Sequence, residues 1–246
     1  MKYKENFAEK FMKSLMGKKD SSIKSDNEKI PEIRKMLEDL IAVSDDKWGR
    51  YAFRREPLNG RSSEKERNLL ISKANICGRE EAEKIKEKFN TESIYECTEK
   101  LNLNVDYPDK PVGGAHILFA QFVEPNNISL FKDSLDKAKK LIEEESLHNI
   151  FEEDSIREIL LAHEVFHFIE EKNDELFKKT EKIRLWKLGP LKNDSSIVAL
   201  GEIAGMAFAK EFLKLEFSPY ILDIFLVYIY NKEASYMLYK EVMNIK

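Results

Sequence analysis

Leu160-Leu161-Ala162-His163-Glu164-Val165-Phe166-His167-Phe168-Ile169 is the stretch on which the reading of this chain turns. It holds two of only four His in 246 residues, spaced four apart with Glu164 directly after the first. Four residues is about one turn of an α-helix, so both imidazoles leave the same face. Leu160, Leu161, Phe166 and Ile169 surround them with apolar surface. Buried imidazoles without a partner are costly, and a shared metal ion is a partner both can use. Glu164 is placed to reach a water on that ion and take its proton. Upstream, Ser155-Ile-Arg-Glu158 has capping-box spacing and predicts the start of this helix, which runs to about Glu171.

A catalytic zinc takes three protein ligands and leaves a fourth position open. One arrangement places the third ligand six residues after the second His. That position is Asn173, and the glycine expected before it is Glu170. The other arrangement takes a Glu from a following helix. Glu202 lies 35 residues after His167, among Ala199, Leu200, Ala204, Gly205 and Ala207. A lone carboxylate on so close-packed a face needs a partner, and a metal supplies one. Asp174 and Glu170 are the alternatives.

The rest of the chain frames this motif. Hydrophobic residues make up 42% and charged residues 35%, enough apolar surface for a folded core and enough charge for a soluble one. The net charge of −4 gives no electrostatic reason to expect a nucleic-acid partner. The N-terminus lacks an apolar signal region. Tyr220 to Tyr230, the most apolar run, is too short for a membrane span and contains Asp223. Two Cys without a C-x-x-C pattern predict free thiols. A cytoplasmic location is expected.

The pattern predicts a helix over 1–17, a polar linker from Gly17 to Pro31, and a helix burying Ile33, Met36, Leu37, Leu40 and Ile41. Asp45 to Ser62 has no clear period. Helices follow over Ser63–Ile76, Arg79–Phe89 and Ser93–Asn102. Ala115 to Val123 and Ile128 to Phe131 read as two strands around Glu124-Pro-Asn-Asn127, with His116 an ordinary strand residue. Asp133 to Glu145 returns to helix. Ser195 or Ser196 is expected to cap a helix reaching Leu213, and Ser218-Pro219 to start another. The expected fold class is α+β: mostly helices, with a small antiparallel sheet preceding the H-E-x-x-H helix. We divide the chain into an N-terminal helical region, 1–90, and the domain carrying the motif, 91–246.

From Tyr95 to Leu213 the sequence resembles the ImmA/IrrE-type zinc peptidases. The resemblance rests on the extended segment, H-E-x-x-H preceded by Ala162, and E-x-x-A-x-x-F-A-x-x-L-L on the next helix. The last pattern reads here Glu202, Gly205, Phe208, Ala209, Phe212, Leu213, with Gly205 where Ala is usual and Phe212 where Leu is usual. It implies a zincin-like domain in which His163, His167 and Glu202 hold zinc and Glu164 acts as general base. It implies hydrolysis of a peptide bond in a protein or peptide substrate, often a regulatory protein in this family, with the strand at 115–123 pairing to it. His148, Tyr220 and Arg184 are candidates to stabilise the oxyanion. A zincin fold kept as a non-catalytic binding or regulatory protein is the alternative.

Overall fold

The computed structural model describes residues 30–109, 119–152, 154–173, 176, 182–188 and 191–245. The expected helix over 1–17, the linker up to residue 29, His116 with the start of its strand, Asp174 and the Arg184 side chain lie outside this set.

The described residues form nine α-helices: α1 (Ile33–Ile41), α2 (Asp45–Phe53), α3 (Glu64–Phe89), α4 (Ile94–Lys100), α5 (Lys132–Glu144), α6 (Ser155–Lys172), α7 (Val198–Phe212), α8 (Ile221–Tyr230) and α9 (Lys232–Met243). Strands β1 (Asn104–Asp106), β2 (Ala120–Val123) and β3 (Asn127–Leu130) precede α5, and β4 (Lys182–Leu188) and β5 (Leu191–Ser196) precede α7. The class is α+β, as expected. None of the described helices is long and apolar enough to cross a membrane.

The three-stranded sheet corrects one expectation. Strands β2 and β3 form the antiparallel hairpin, but β1 adds to the far side of β3 in parallel, giving the order β1-β3-β2 and a mixed sheet. Asparagines fasten that third strand. The Asn126 amide donates to the Asn102 carbonyl oxygen, and the Asn104 side-chain amide donates to Asn127 Oδ1. This leaves β2 with β3 on one side only among the described residues. A second hairpin, β4–β5, fills part of the gap between His167 and Glu202, which the sequence left without elements.

Residues 64–89 form one continuous helix, not two. Its start is a full capping box: Ser63 accepts from the Glu66 amide, and the Glu66 carboxylate accepts from the Ser63 amide. Gly78 does not break it, although glycine in mid-helix costs about 1 kcal/mol relative to alanine. The reason is α7. A Cβ on Gly78 would lie 2.8 Å from the Phe208 amide nitrogen, and closer still to the Ala204 carbonyl oxygen. The two helices touch backbone to backbone there, and Ala204 and Ala207 on α7 keep the approach open.

Helix α6 is buried on nearly every side, including Ile156, Ile159, Leu161, Val165, Phe166 and Ile169. It lies between α7 and the hairpin face. Helix α8, the apolar run, is likewise a core helix: Ile221, Ile224, Phe225 and Leu226 are all at most 1% exposed. The apolar core runs across residue 90, joining Ile33, Met36, Leu37, Trp48 and Tyr51 to Phe208 and Phe225.

Two helix starts differ from expectation. Helix α6 has Asp154 at its N-cap with no side-chain cap, because the Ser155 hydroxyl donates backward to the Glu152 carbonyl oxygen. Helix α7 starts after Ile197, which takes the N-cap position in place of either serine and has no side-chain capping bond of its own. Its cap comes from far away in sequence. The buried Glu56 carboxylate accepts from the Ala199 amide at 3.0 Å and from the Leu58 amide at 3.1 Å. An anion at a helix N-terminus meets orphan N–H groups and the positive end of the dipole.

Candidate metal centre

His163 and His167 leave α6 toward α7, where Glu202 faces them. One ligand atom from each of the three lies within 4.8 Å of the other two, so the group could hold a metal ion. The two Nε2 atoms are 3.0 Å apart. Glu202 straddles them, with Oε2 3.4 Å from His163 Nε2 and Oε1 3.8 Å from His167 Nε2. Two nitrogens bonded to one tetrahedral zinc at 2.0–2.1 Å would be about 3.3 Å apart, so the spacing fits. Facing lone pairs at 3.0 Å repel unless a proton or a cation sits between them. All three side chains are mostly buried, His163 and Glu202 being 12% exposed. Nitrogen and carboxylate donors of this kind suit a borderline ion such as zinc.

A second layer holds the rings. Glu170, 4% exposed, places Oε2 3.5 Å from His167 Nδ1. A carboxylate behind a ligating imidazole fixes its tautomer and orientation. Glycines make the room. A Cβ on Gly201 would lie 2.7 Å from Glu170 Oε1, and one on Gly205 would lie 2.9 Å from His163 Nδ1. Gly205, which looked in the sequence like a packing difference, is thus part of the seat of the first His. Glu170 was visible only as an alternative ligand; its place three residues after His167 was the signal for this supporting role.

Burial disfavours a charged His167 ring, but the hydrogen bond to Glu170 and the fields of Glu202 and Glu164 outweigh it and raise its pKa to about 9. In the metal-free chain a proton therefore occupies what a metal would take. A raised folded-state pKa stabilises fully below the unfolded value near 6.5 and is lost as pH rises through about 9. The metal-free protein should lose on the order of 3 kcal/mol from this source across that window. Urea unfolding of chelator-treated protein and of its His167→Gln variant checks this: the gap between them should narrow from pH 6.5 to 9.5. A constant gap would show that His167 is not protonated in the fold.

Glu164 is 4% exposed, and its Oε2 accepts from the Phe122 amide of β2 at 2.6 Å. The Phe131 amide pairs with the Phe119 carbonyl, so the backbone polar groups of Ala120 and Phe122 point away from β3. The Phe122 amide is spent on Glu164; Ala120 lines the cleft. That cleft, about 90 Å³, is bounded by Ala120, Ile159, Leu160, Leu222 and Leu226, with His163, Glu164 and Glu202 in its wall.

Of the three oxyanion candidates, Tyr220 lines this cleft. Its hydroxyl is buried with no hydrogen-bond partner among the described residues, and its ring stacks on Trp48 at 5.6 Å. His148 is exposed and is not among the residues lining the cleft. One cleft residue was missed: Asp223, noted in the sequence only as a charge in an apolar run. That anomaly was the available signal, since a carboxylate inside an apolar run is rarely withdrawn from water, even in part, unless paired or functional. Comparison with known protein families, with curated proteins and with solved structures gave no match to this chain.

Proposed function

We propose that this chain is a zinc-dependent peptidase of the ImmA/IrrE type. What carries the reading is one convergence: His163, His167 and Glu202 cluster beside a cleft whose wall includes His163, Glu202, Glu164 and Ala120 of β2, a strand that among the described residues pairs on one side only.

The roles follow from position. His163, His167 and Glu202 would hold the ion, and Glu170 would keep His167 aligned. A bound zinc would supply a water of lowered pKa and polarise the scissile carbonyl. Glu164 takes the proton of the attacking water and returns it to the leaving amine. Its hydrogen bond to Phe122 fixes where that carboxylate stands. The Ala120 backbone offers an extended peptide a place to pair as an added strand. The Tyr220 hydroxyl donates to the oxyanion that develops on the carbonyl.

The test is direct. Protein loaded with about one zinc per chain, as a single three-ligand site requires, is incubated with a mixed-sequence peptide library and the products are read by mass spectrometry. Cleavage should appear, vanish with a zinc chelator and return on adding zinc. Full zinc occupancy with every peptide intact would overturn the peptidase reading and leave a metal-binding protein.

A further inference from the structure

Asp223 sits in the same cleft but does not belong to the ligand cluster. It enters from α8, among Leu222, Leu226 and Tyr220. Its Oδ2 accepts from the Tyr51 hydroxyl at 3.1 Å, and its other oxygen has no hydrogen-bond partner among the described residues. The nearby cation does not reach it. The Arg55 guanidinium is taken by Glu241 at 3.1 Å and by the Tyr51 carbonyl oxygen at 3.0 Å, and it lies 3.6 Å over the Tyr51 ring. Burial pushes the Asp223 carboxyl up to about 6, against the field of Arg55, so near pH 7 it is mostly an anion without a direct counter-charge.

Beside it stands the second observation. Tyr220 is 4% exposed, and its hydroxyl has no hydrogen-bond partner among the described residues although it lies in the fields of Glu202 and Asp223. Such an orphan costs free energy unless a ligand meets it. A phenol has one proton to give and lone pairs to accept with, so it can serve an oxyanion and an N–H donor together. A partly buried anion and a lone-pair donor, set in apolar walls, fit a cationic group with several N–H bonds to give.

We propose that Asp223 and Tyr220 seat a protonated amine of the peptide substrate next to the bond that is cut. This rests on the peptidase reading above. The amine has two sources, the free N-terminus of the peptide or a lysine side chain whose methylenes lie against Leu222 and Leu226. Each predicts selectivity that the metal ligands alone do not give.

Dipeptide hydroxamates, which bind zinc directly, separate the possibilities without turnover. Four are compared on the zinc-loaded protein: free against acetylated N-terminus, and lysine against norleucine at the adjacent residue. One amine-bearing member should bind at least about 10-fold tighter than its neutral partner, as an ion pair in a desolvated site allows, and the arm that shows it names the source. Asp223→Asn keeps an acceptor for Tyr51 and should erase the advantage while binding the neutral hydroxamates as before, which also shows that the variant is folded. Equal affinities within both pairs, or an advantage that survives in Asp223→Asn, overturn the amine seat and leave the zinc site standing. Failure of all four to bind the zinc-loaded wild type overturns the peptidase reading and the seat together, and leaves a metal-binding protein.

Discussion

Glu164→Gln should lower the rate of peptide hydrolysis by about 10²–10⁴-fold while the zinc content stays the same. The substitution isolates one property. Glutamine matches the volume of a side chain that is 4% exposed, so no cavity opens. Its amide oxygen still accepts from the Phe122 amide, so the 2.6 Å tie to β2 can persist. Glu164 is not one of the three clustered ligand residues, so metal affinity should not move. What glutamine cannot do is take a proton from water. Steady-state hydrolysis alongside elemental analysis gives the answer. A variant with full zinc and full activity would remove Glu164 from the chemistry, and the base would have to be sought elsewhere in the cleft.

Gly78→Ala should cost more than about 3 kcal/mol of stability, and the sign is the informative part. Helix propensity alone predicts a gain of about 0.5–1 kcal/mol, since alanine loses less entropy than glycine in a helix. Packing opposes it. The new methyl would lie 2.8 Å from the Phe208 nitrogen and 2.9 Å from the Ala204 carbonyl carbon, both backbone atoms of α7. Backbone inside a packed helix has no rotamer to change, so α3 and α7 must part. Parting them moves the helix that carries Glu202, so zinc affinity should fall with stability. Urea unfolding and zinc titration of the same variant measure both. A stabilised Gly78→Ala variant would mean that the helices are not in backbone contact.

What could be read in the sequence was what is periodic and local. The spacing of His163 and His167 placed two imidazoles on one face, and the setting of Glu202 among alanines and glycines marked it as a carboxylate in need of a partner. The stripe of Ile33, Met36, Leu37 and Leu40 gave a helix that is indeed buried along it. What escaped depends on groups distant in sequence. No local rule tells that Glu56 caps a helix starting at residue 198, so serines near 195 looked like the cap. Gly78 reads as a break until the helix lying against it is known. Strand β1 has three residues, too few for an alternating pattern, and it pairs with a strand 23 positions on. Asp223 looked like an argument against a membrane helix because nothing in an apolar run shows which cleft it borders.

The Glu56 cap also bears on the order in which this protein is made. Glu56 and the Ala199 amide it accepts from are 143 residues apart, and the Tyr51–Asp223 bond spans 172. Contacts of such long sequence separation slow folding, because loop-closure entropy is lost before they form. As the chain leaves the ribosome, the H-E-x-x-H helix emerges before Glu202, and Glu56 waits for most of synthesis without the Ala199 amide. The candidate metal site is therefore among the last things to close, and an ion that arrives earlier would meet two histidines and no Glu202.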